Sequence, residues 1–242
     1  MRCAITKSRG TERGAIIVMT NKNFSPWIYC DLEQWGPLTN EKYLINVKEK
    51  NVLYNQEEDI SHIYIVKSGR VRLSYFSSEG AEKIYIFALS GGMFGEETCF
   101  EPEAQFLHAA TIVDCELYCI PKDQFLYHLS QDTALNVQVL SSMAHKIHLL
   151  MEHIRRLCFL DARSRVAAVF VDLVHVFGVP TKDGIKVQLP VIQQGIGNLV
   201  KASRLTVNQV IGEFEAMGLL EKKQNRWIIY NLDMLKEFSK IP

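Results

Sequence analysis

The chain has 242 residues, of which 48% are hydrophobic and 22% charged, and its 27 basic and 27 acidic side chains give a net charge of zero. These proportions are typical of globular proteins and exclude disordered, collagen-like and purely coiled-coil chains. No apolar run approaches the roughly 20 residues that a transmembrane helix needs, and the segment from Met1 to Met19 lacks the features of a signal peptide. We therefore expect a cytoplasmic protein of one or two domains with no membrane partner.

The charge is unevenly distributed. Residues 1–160 carry 16 basic and 19 acidic side chains, whereas residues 161–242 carry 11 basic and 8 acidic ones. A basic excess at one end of a chain is a reason to look for a nucleic-acid partner there.

The first part of the chain changes from polar to β-rich. Residues 1–22 are polar and aperiodic, which predicts a disordered tail or an upstream extension before a start at Met19. Residues 23–131 are predicted to form a β domain, because short runs rich in Ile, Val, Tyr and Phe alternate with turn residues. The clearest runs are 62–66, 71–76, 83–89 and 115–120. This spacing is typical of an antiparallel sandwich or barrel, and Pro121 begins a short helix after the last strand.

Residues 132–160 are predicted to form one long helix, because the hydrophobic period changes to 3.6 there. Six apolar residues recur at spacings of three and four, as in a coiled-coil seam. They are Leu140, Met143, Ile147, Leu150, Ile154 and Leu157. We predict that this seam joins two copies of the chain while Ala144, Met151 and Cys158 rest on the β domain. The alternative is a helix that packs only on its own β domain.

Residues 161–242 are predicted to form a winged helix-turn-helix. A helix follows Asp161, two short helices occupy 193–200 and 204–217, and strands at 186–189, 219–223 and 226–230 supply the wing. Ser203 is the predicted N-cap of the second short helix, and Gly218 ends it.

That second short helix has dimensions that fit the DNA major groove. Arginine pairs with guanine and asparagine or glutamine with adenine, while lysines neutralise phosphates. The predicted DNA-binding residues are Lys201, Ser203, Arg204, Leu205, Thr206, Asn208 and Gln209. Phosphate contacts are expected from Lys201, Lys222, Lys223 and Arg226. The alternative is a small helical domain with a solvated face.

Residues 40–235 resemble the CRP/FNR family of bacterial transcription regulators. The similar segments are EDISHIYIVKSGRV at 58–71, GGMFGE at 91–96, the long helix, and SRLTVNQV at 203–210. The resemblance implies an α+β fold: an N-terminal double-stranded β-helix (jelly roll) of the cyclic-nucleotide-binding type, a dimerisation helix and a C-terminal winged helix-turn-helix. It also implies a homodimeric transcription regulator, an activator or a repressor, that binds a small-molecule effector, a palindromic double-stranded DNA operator and RNA polymerase.

The predicted effector site differs from that of cyclic-nucleotide binders in the family. There a Gly-Glu pair contacts the ribose and an Arg-Ser pair the cyclic phosphate; Gly95 and Glu96 match the first pair, but residues 105–110 read QFLHAA. A buried phosphate needs a cation, so cyclic AMP is not expected. The resemblance places the effector against Phe94, Gly95, Glu96, Phe106, Leu107, His108, Lys146 and Ile147. Glu96 has a second interpretation as a structural carboxylate that holds the turn.

The chain also resembles the halorespiration branch of the family, which senses chlorinated phenolic acids with the help of a lysine on the dimer helix. Lys146 matches that lysine, so an organic or aromatic acid is one hypothesis for the effector. The alternative is a solvated Lys146 on the outer face of the helix.

No metal, haem or other cofactor is expected. The six cysteines are scattered without a CxxC pair, and Cys3 and Cys30 are too isolated for an iron–sulfur cluster. His145 and His148 share a helix face but lack a third ligand.

The DNA-reading helix also departs from the family pattern. Leu205 and Gln209 stand where the family most often has glutamate and arginine, which predicts an unusual operator. Lys201 replaces the family's turn glycine, so either its φ is positive or the turn is built differently.

Two functions remain. The first is a homodimeric transcription regulator controlled by an effector in the β domain. The second is an effector-binding regulatory subunit that acts on a protein partner through its C-terminal domain. An enzyme is not expected, because the chain has no GxSxG motif, phosphate loop or catalytic carboxylate pair.

Overall fold

The computed structural model describes residues 25–101, 106–187, 193–224 and 226–240. The tail predicted for residues 1–22 lies outside these ranges. Within them, no helix is both long and apolar enough to cross a membrane.

The first part of the chain forms two facing β-sheets, which confirms the predicted jelly-roll fold. The strands are β1 (Trp27–Ile28), β2 (Leu44–Val47), β3 (Val52–Tyr54), β4 (His62–Ser68), β5 (Val71–Phe76), β6 (Glu82–Ala88), β7 (Met93–Phe94), β8 (His108–Thr111) and β9 (Cys115–Pro121). One sheet has the order β1-β6-β5-β8-β3 and the other β2-β9-β4-β7. Pairing is antiparallel except between β1 and β6.

The sandwich core follows from alternation along the strands. On β5, Val71 and Leu73 are buried while Arg72 is half-buried, because successive side chains point to opposite faces of a strand. Leu73 pairs with Ile86 of β6 and packs with Val66 and Leu117 of the opposite sheet.

Three helices follow the sandwich: α1 (Lys122–Gln131), α2 (Thr133–Phe159) and α3 (Ala162–Phe177). Asp132 caps α2 by accepting from the amide of Ala134 at 2.8 Å, and Asp161 caps α3 by accepting from the amide of Ser164 at 2.7 Å. Arg156 of α2 pairs with buried Asp172 of α3 at 2.5 Å. This ion pair joins the long helix to the C-terminal domain.

The C-terminal domain is a winged helix-turn-helix, as predicted. It contains β10 (Gly178–Thr181), β11 (Gly184–Val187), α4 (Gln193–Val200), α5 (Arg204–Ala216), β12 (Leu220–Lys223), β13 (Arg226–Ile229) and α6 (Leu232–Phe238). The strands form one sheet in the order β10-β11-β13-β12. Phe170 of α3 meets Trp227 of β13 edge-on at 5.1 Å between ring centroids, and Phe214 of α5 is fully buried.

The two domains also pack directly on each other, which the sequence did not predict. Trp27 stacks on Phe87 at 5.8 Å and meets Phe177 of α3 edge-on. The Lys83 ammonium of β6 donates to the carbonyl of Leu199 at the end of α4. The position of the helix-turn-helix is therefore set partly by the β domain.

Candidate functional site

A cavity of about 390 Å³ lies between the β sandwich and α2; we call it the α2 cavity. Its walls come from both sheets, from the turn after β7 and from one face of α2. The lining residues are Leu73, Ile86, Phe94, Glu96, Glu97, Thr98, Glu101, Phe106, Leu107, Met143, Lys146, Ile147 and Leu150. The volume is within the range of small-molecule sites, which are mostly apolar with a few polar groups.

An ion pair between Glu96 and Lys146 dominates the polar side of this cavity. The Lys146 Nζ lies 2.5 Å from Glu96 Oε1, and the two side chains are only 14% and 1% exposed. Burial raises the pKa of Glu96, and the neighbouring Lys146 opposes that rise. The alternative of a solvated Lys146 is therefore wrong, because the lysine side chain turns inward to neutralise a buried carboxylate.

The predicted effector residues Phe94, Gly95 and Glu96 form the turn beneath the cavity. Phe94 and Glu96 line it, whereas Gly95 holds the turn. Gly95 has φ = 87°, and an added Cβ would lie 3.0 Å from the Ile60 side chain. A residue with a side chain would be strained there, so Gly95 orients Glu96 and does not line the cavity itself.

The other predicted effector residues are only partly brought together. Leu107 and Ile147 line the cavity, as does Phe106, which is exposed and stacks on Tyr75 at 5.1 Å. His108 lies outside the lining and meets Phe76 edge-on. Burial and the nearby Arg72 lower the pKa of His108.

Several lining residues were missed by sequence reasoning. They are Leu73, Ile86, Glu97, Thr98, Glu101, Met143 and Leu150. Leu73 and Ile86 carry the ordinary core pattern of a strand, so only the three-dimensional fold shows that they face a cavity. Of these residues, Glu97 was the easiest to predict as a lining residue, because it directly follows Glu96 at the end of the matched segment.

The predicted seam on α2 divides between two environments. Leu140, Ile147 and Ile154 are exposed, at 65%, 57% and 59%. Met143 packs against one core of the β domain and Leu150 against another, and Leu157 is half-buried.

The prediction that Ala144, Met151 and Cys158 rest on the β domain is wrong. All three are exposed, because Met143 and Leu150 already fill the side of α2 that faces the sandwich. The exposed apolar residues form what we call the α2 stripe: Leu140, Ala144, Ile147, Met151, Ile154 and Cys158. Their spacing of four and three is again that of a coiled-coil seam.

The helix-turn-helix presents most of its predicted DNA-binding side chains to solvent. Arg204, Leu205, Asn208 and Gln209 of α5 are exposed. Ser203 caps α5 by accepting from the amide of Thr206 at 3.0 Å, which confirms the predicted N-cap.

Two predicted DNA-binding residues also have a structural role in the turn between α4 and α5. The Thr206 hydroxyl lies 2.8 Å from that of Ser203, so Thr206 supports the cap. Lys201 has φ = 53°, the left-handed conformation that a glycine adopts more easily.

The basic side chains around α5 differ in how freely they can meet a phosphate. Lys201 and Arg226 are exposed. Lys222 lies over the ring of Trp227, and Lys223 pairs with Glu221 at 2.8 Å and also donates to Tyr230. The Glu221 and Tyr230 contacts raise the pKa of Lys223.

The described residues hold no cluster of three or more His, Cys, Asp or Glu side chains that could bind a metal ion. Their cysteines, Cys30, Cys99, Cys115, Cys119 and Cys158, are free thiols.

A β sandwich with a ligand-sized cavity, a long helix and an exposed helix-turn-helix define the class of DNA-binding regulators with an attached sensor domain. The comparisons with known proteins agree. Residues 44–132 match the family described as "Cyclic nucleotide-binding domain" and residues 164–238 the family described as "Crp-like helix-turn-helix domain".

Relatives and solved structures show the same arrangement over most of the chain. The chain is 24% identical to the CRP-like cAMP-activated global transcriptional regulator of Mycobacterium tuberculosis (strain CDC 1551 / Oshkosh), covering 82% of this chain and 88% of that protein. It is similar in fold to a CooA mutant from Carboxydothermus hydrogenoformans (24% identity, TM-score 0.71, 81% and 87% covered). FixK2 from Bradyrhizobium japonicum is similar too (19% identity, TM-score 0.72, 82% and 98% covered). The chain belongs to the CRP/FNR family of transcription regulators, which are not enzymes.

Proposed function

We propose that this protein is a homodimeric transcription activator, controlled by a small molecule that binds in the α2 cavity. The observation that carries the proposal is that Ile147 both lines the cavity and belongs to the exposed α2 stripe. A ligand that moves Ile147 therefore acts on the surface that would join two chains. As a regulator of transcription, the protein would act in the cytoplasm.

The α2 stripe supports the homodimer. It runs from Leu140 to Cys158 and places six small or apolar side chains on one exposed line. Exposing such an apolar surface to water is unfavourable, and its spacing fits the interface of two parallel helices. Pairing along α2 would bring two helix-turn-helix domains together at its C-terminal end.

The paired helices would then read a palindromic operator. Two-fold related recognition helices contact half-sites whose centres are about one helical turn, roughly 34 Å, apart. Arg204, Asn208 and Gln209 are exposed where base edges would lie, and Lys201 and Arg226 where phosphates would lie. RNA polymerase is the partner that an activator of this class would recruit.

Ligand control follows from a two-state α2. A ligand shifts an equilibrium only by binding one state more tightly than the other. The α2 cavity has walls on both the sandwich and α2, so a bound molecule can favour one position of α2. Arg156 and Asp172 would pass a movement of α2 to the C-terminal domain.

A gel-shift titration of the full chain on its own upstream DNA tests the proposal. We expect a complex that weakens steeply as salt rises, because phosphate contacts release counterions. Substituting Arg204→Ala should weaken binding to the preferred site, and Arg155→Ala, on the exposed part of α2, should not. Absence of binding at every salt concentration would contradict the proposal and favour a C-terminal domain that docks on a protein.

A further inference from the structure

We propose that the effector is a compact, largely apolar molecule that carries an N–H or O–H donor and no negative charge, and that it donates to Glu96. This inference rests on the proposed function, because it names the class of molecule that the α2 cavity takes.

The charges that line the cavity disfavour an anion. Glu96, Glu97 and Glu101 contribute three carboxylates, and Lys146 is the one basic side chain among the described lining residues. An anionic ligand would add a further negative charge to a site that already has an excess of them.

Lys146 is not free to compensate for such a ligand. Its ammonium is committed to Glu96 at 2.5 Å, and both side chains are largely buried. If an organic acid took Lys146, Glu96 would be left as a buried charge without its cation, which is strongly unfavourable. The same argument disfavours the phosphate of a cyclic nucleotide and the aromatic acid that the halorespiration resemblance suggested.

The unpaired carboxylate oxygen of Glu96 indicates that the ligand must provide a hydrogen-bond donor. Its Oε1 accepts from Lys146, but its Oε2 is buried and has no hydrogen-bond partner among the described residues. A buried acceptor left without a donor is costly. A ligand in the cavity that places a hydroxyl or amine against Oε2 would remove this cost.

The remaining walls of the cavity indicate that the rest of the ligand, apart from its donor group, is apolar. They are apolar, with Leu73, Ile86 and Phe94 from the sandwich and Met143 and Leu150 from α2. A small ring or branched alkyl group would bury its surface there, and the donor would point to Glu96.

Three probes of similar shape test this assignment on the full-length protein without DNA: benzyl alcohol, benzoate and toluene. Binding is followed by saturation-transfer NMR titration at neutral pH. We expect benzyl alcohol to bind about tenfold or more tightly than toluene, as a hydrogen bond to a charged acceptor provides, and benzoate to bind more weakly than both.

The variant Glu96→Gln locates the binding. The amide keeps the shape of the side chain but removes the charged acceptor, so the preference for benzyl alcohol over toluene should fall to within a fewfold. Glu79→Gln, on the exposed turn between β5 and β6 and outside the cavity lining, should leave this preference unchanged. A thermal melt of each variant checks that it is folded.

Benzoate binding as tightly as benzyl alcohol would overturn the inference, as would failure of all three probes to bind. If the Glu96→Gln variant still prefers benzyl alcohol over toluene, the inference is also overturned, because the ligand hydroxyl would then donate to a group other than Glu96. None of these results touches DNA binding, so failure of the inference and failure of the proposed function are distinguishable.

Discussion

The Glu96–Lys146 pair is the most consequential contact at the scale of single residues. These two side chains are fifty positions apart in the chain, yet they form an ion pair between the β domain and α2. A buried pair of this kind does not by itself stabilise a protein, but removing one partner leaves an uncompensated charge.

Substituting Lys146→Met should therefore lower the free energy of unfolding by roughly 3 kcal/mol at neutral pH. The double variant Lys146→Met with Glu96→Gln should recover most of that loss, because no buried charge remains. Urea unfolding of the two single variants and the double variant measures the coupling. Lys48→Met, which breaks the exposed Lys48–Asp114 pair, should cost far less than Lys146→Met, because solvent screens exposed charges. Equal losses in Lys146→Met and the double variant would contradict this account.

The backbone at Lys201 gives a second prediction. Lys201→Gly should stabilise the protein by about 0.5–1 kcal/mol by relieving the positive φ, and should weaken DNA binding by removing a phosphate contact. Lys50→Gly is the matched control, since Lys50 also has a positive φ (61°) but lies in the β domain. It should stabilise the protein without changing DNA affinity. Chemical denaturation and a DNA titration on both variants separate strain from binding.

At the scale of elements, the α2 stripe is the surface that would hold the dimer. Met151 is 60% exposed and does not line the α2 cavity. Met151→Glu should convert the dimer to a monomer, because two carboxylates would meet across the seam. Leu126→Glu, at an exposed apolar position on α1, should not change the mass. Sedimentation-velocity measurements give the mass of each variant, and a dimeric Met151→Glu protein would rule out this seam.

Elements with a long, regular pattern could be predicted from the sequence. The runs 62–66 and 71–76 became β4 and β5, and α5 begins and is capped where Ser203 indicated. The strands of two or three residues, β1, β3 and β7, have no room for a period and were not predicted individually. The exposed face of α2 was predicted only in part: Leu140, Ile147 and Ile154 are exposed, whereas Met143 and Leu150 face the sandwich. A helix with two adjacent apolar lines does not reveal which one its neighbour covers.

The candidate site could be predicted only where one segment carries it. Phe94 and Glu96 follow from the GGMFGE segment, and Lys146 from its place on the long helix. The pairing of Glu96 with Lys146 and the walls made by Leu73 and Ile86 depend on long-range packing, which local patterns do not encode.

At the scale of the whole molecule, the β domain holds the helix-turn-helix through Lys83. Burial, with the nearby charges of Arg165 and Lys201, lowers the pKa of Lys83 from 10.5 to about 7. Because the unfolded chain binds this proton more tightly than the folded one, stability should rise as pH increases from about 7 to about 10. Lys83→Met should flatten this rise. Denaturant midpoints measured across that range check the prediction, and an unchanged slope in Lys83→Met would contradict it.

Two chains joined along α2 would place two α5 helices on one duplex. Native mass spectrometry of the protein with a duplex selected from a random pool tests this most directly. We expect a complex of two chains and one duplex, with the selected site an inverted repeat whose half-site centres are about one helical turn apart. A monomeric protein that enriches no duplex at low salt would contradict it.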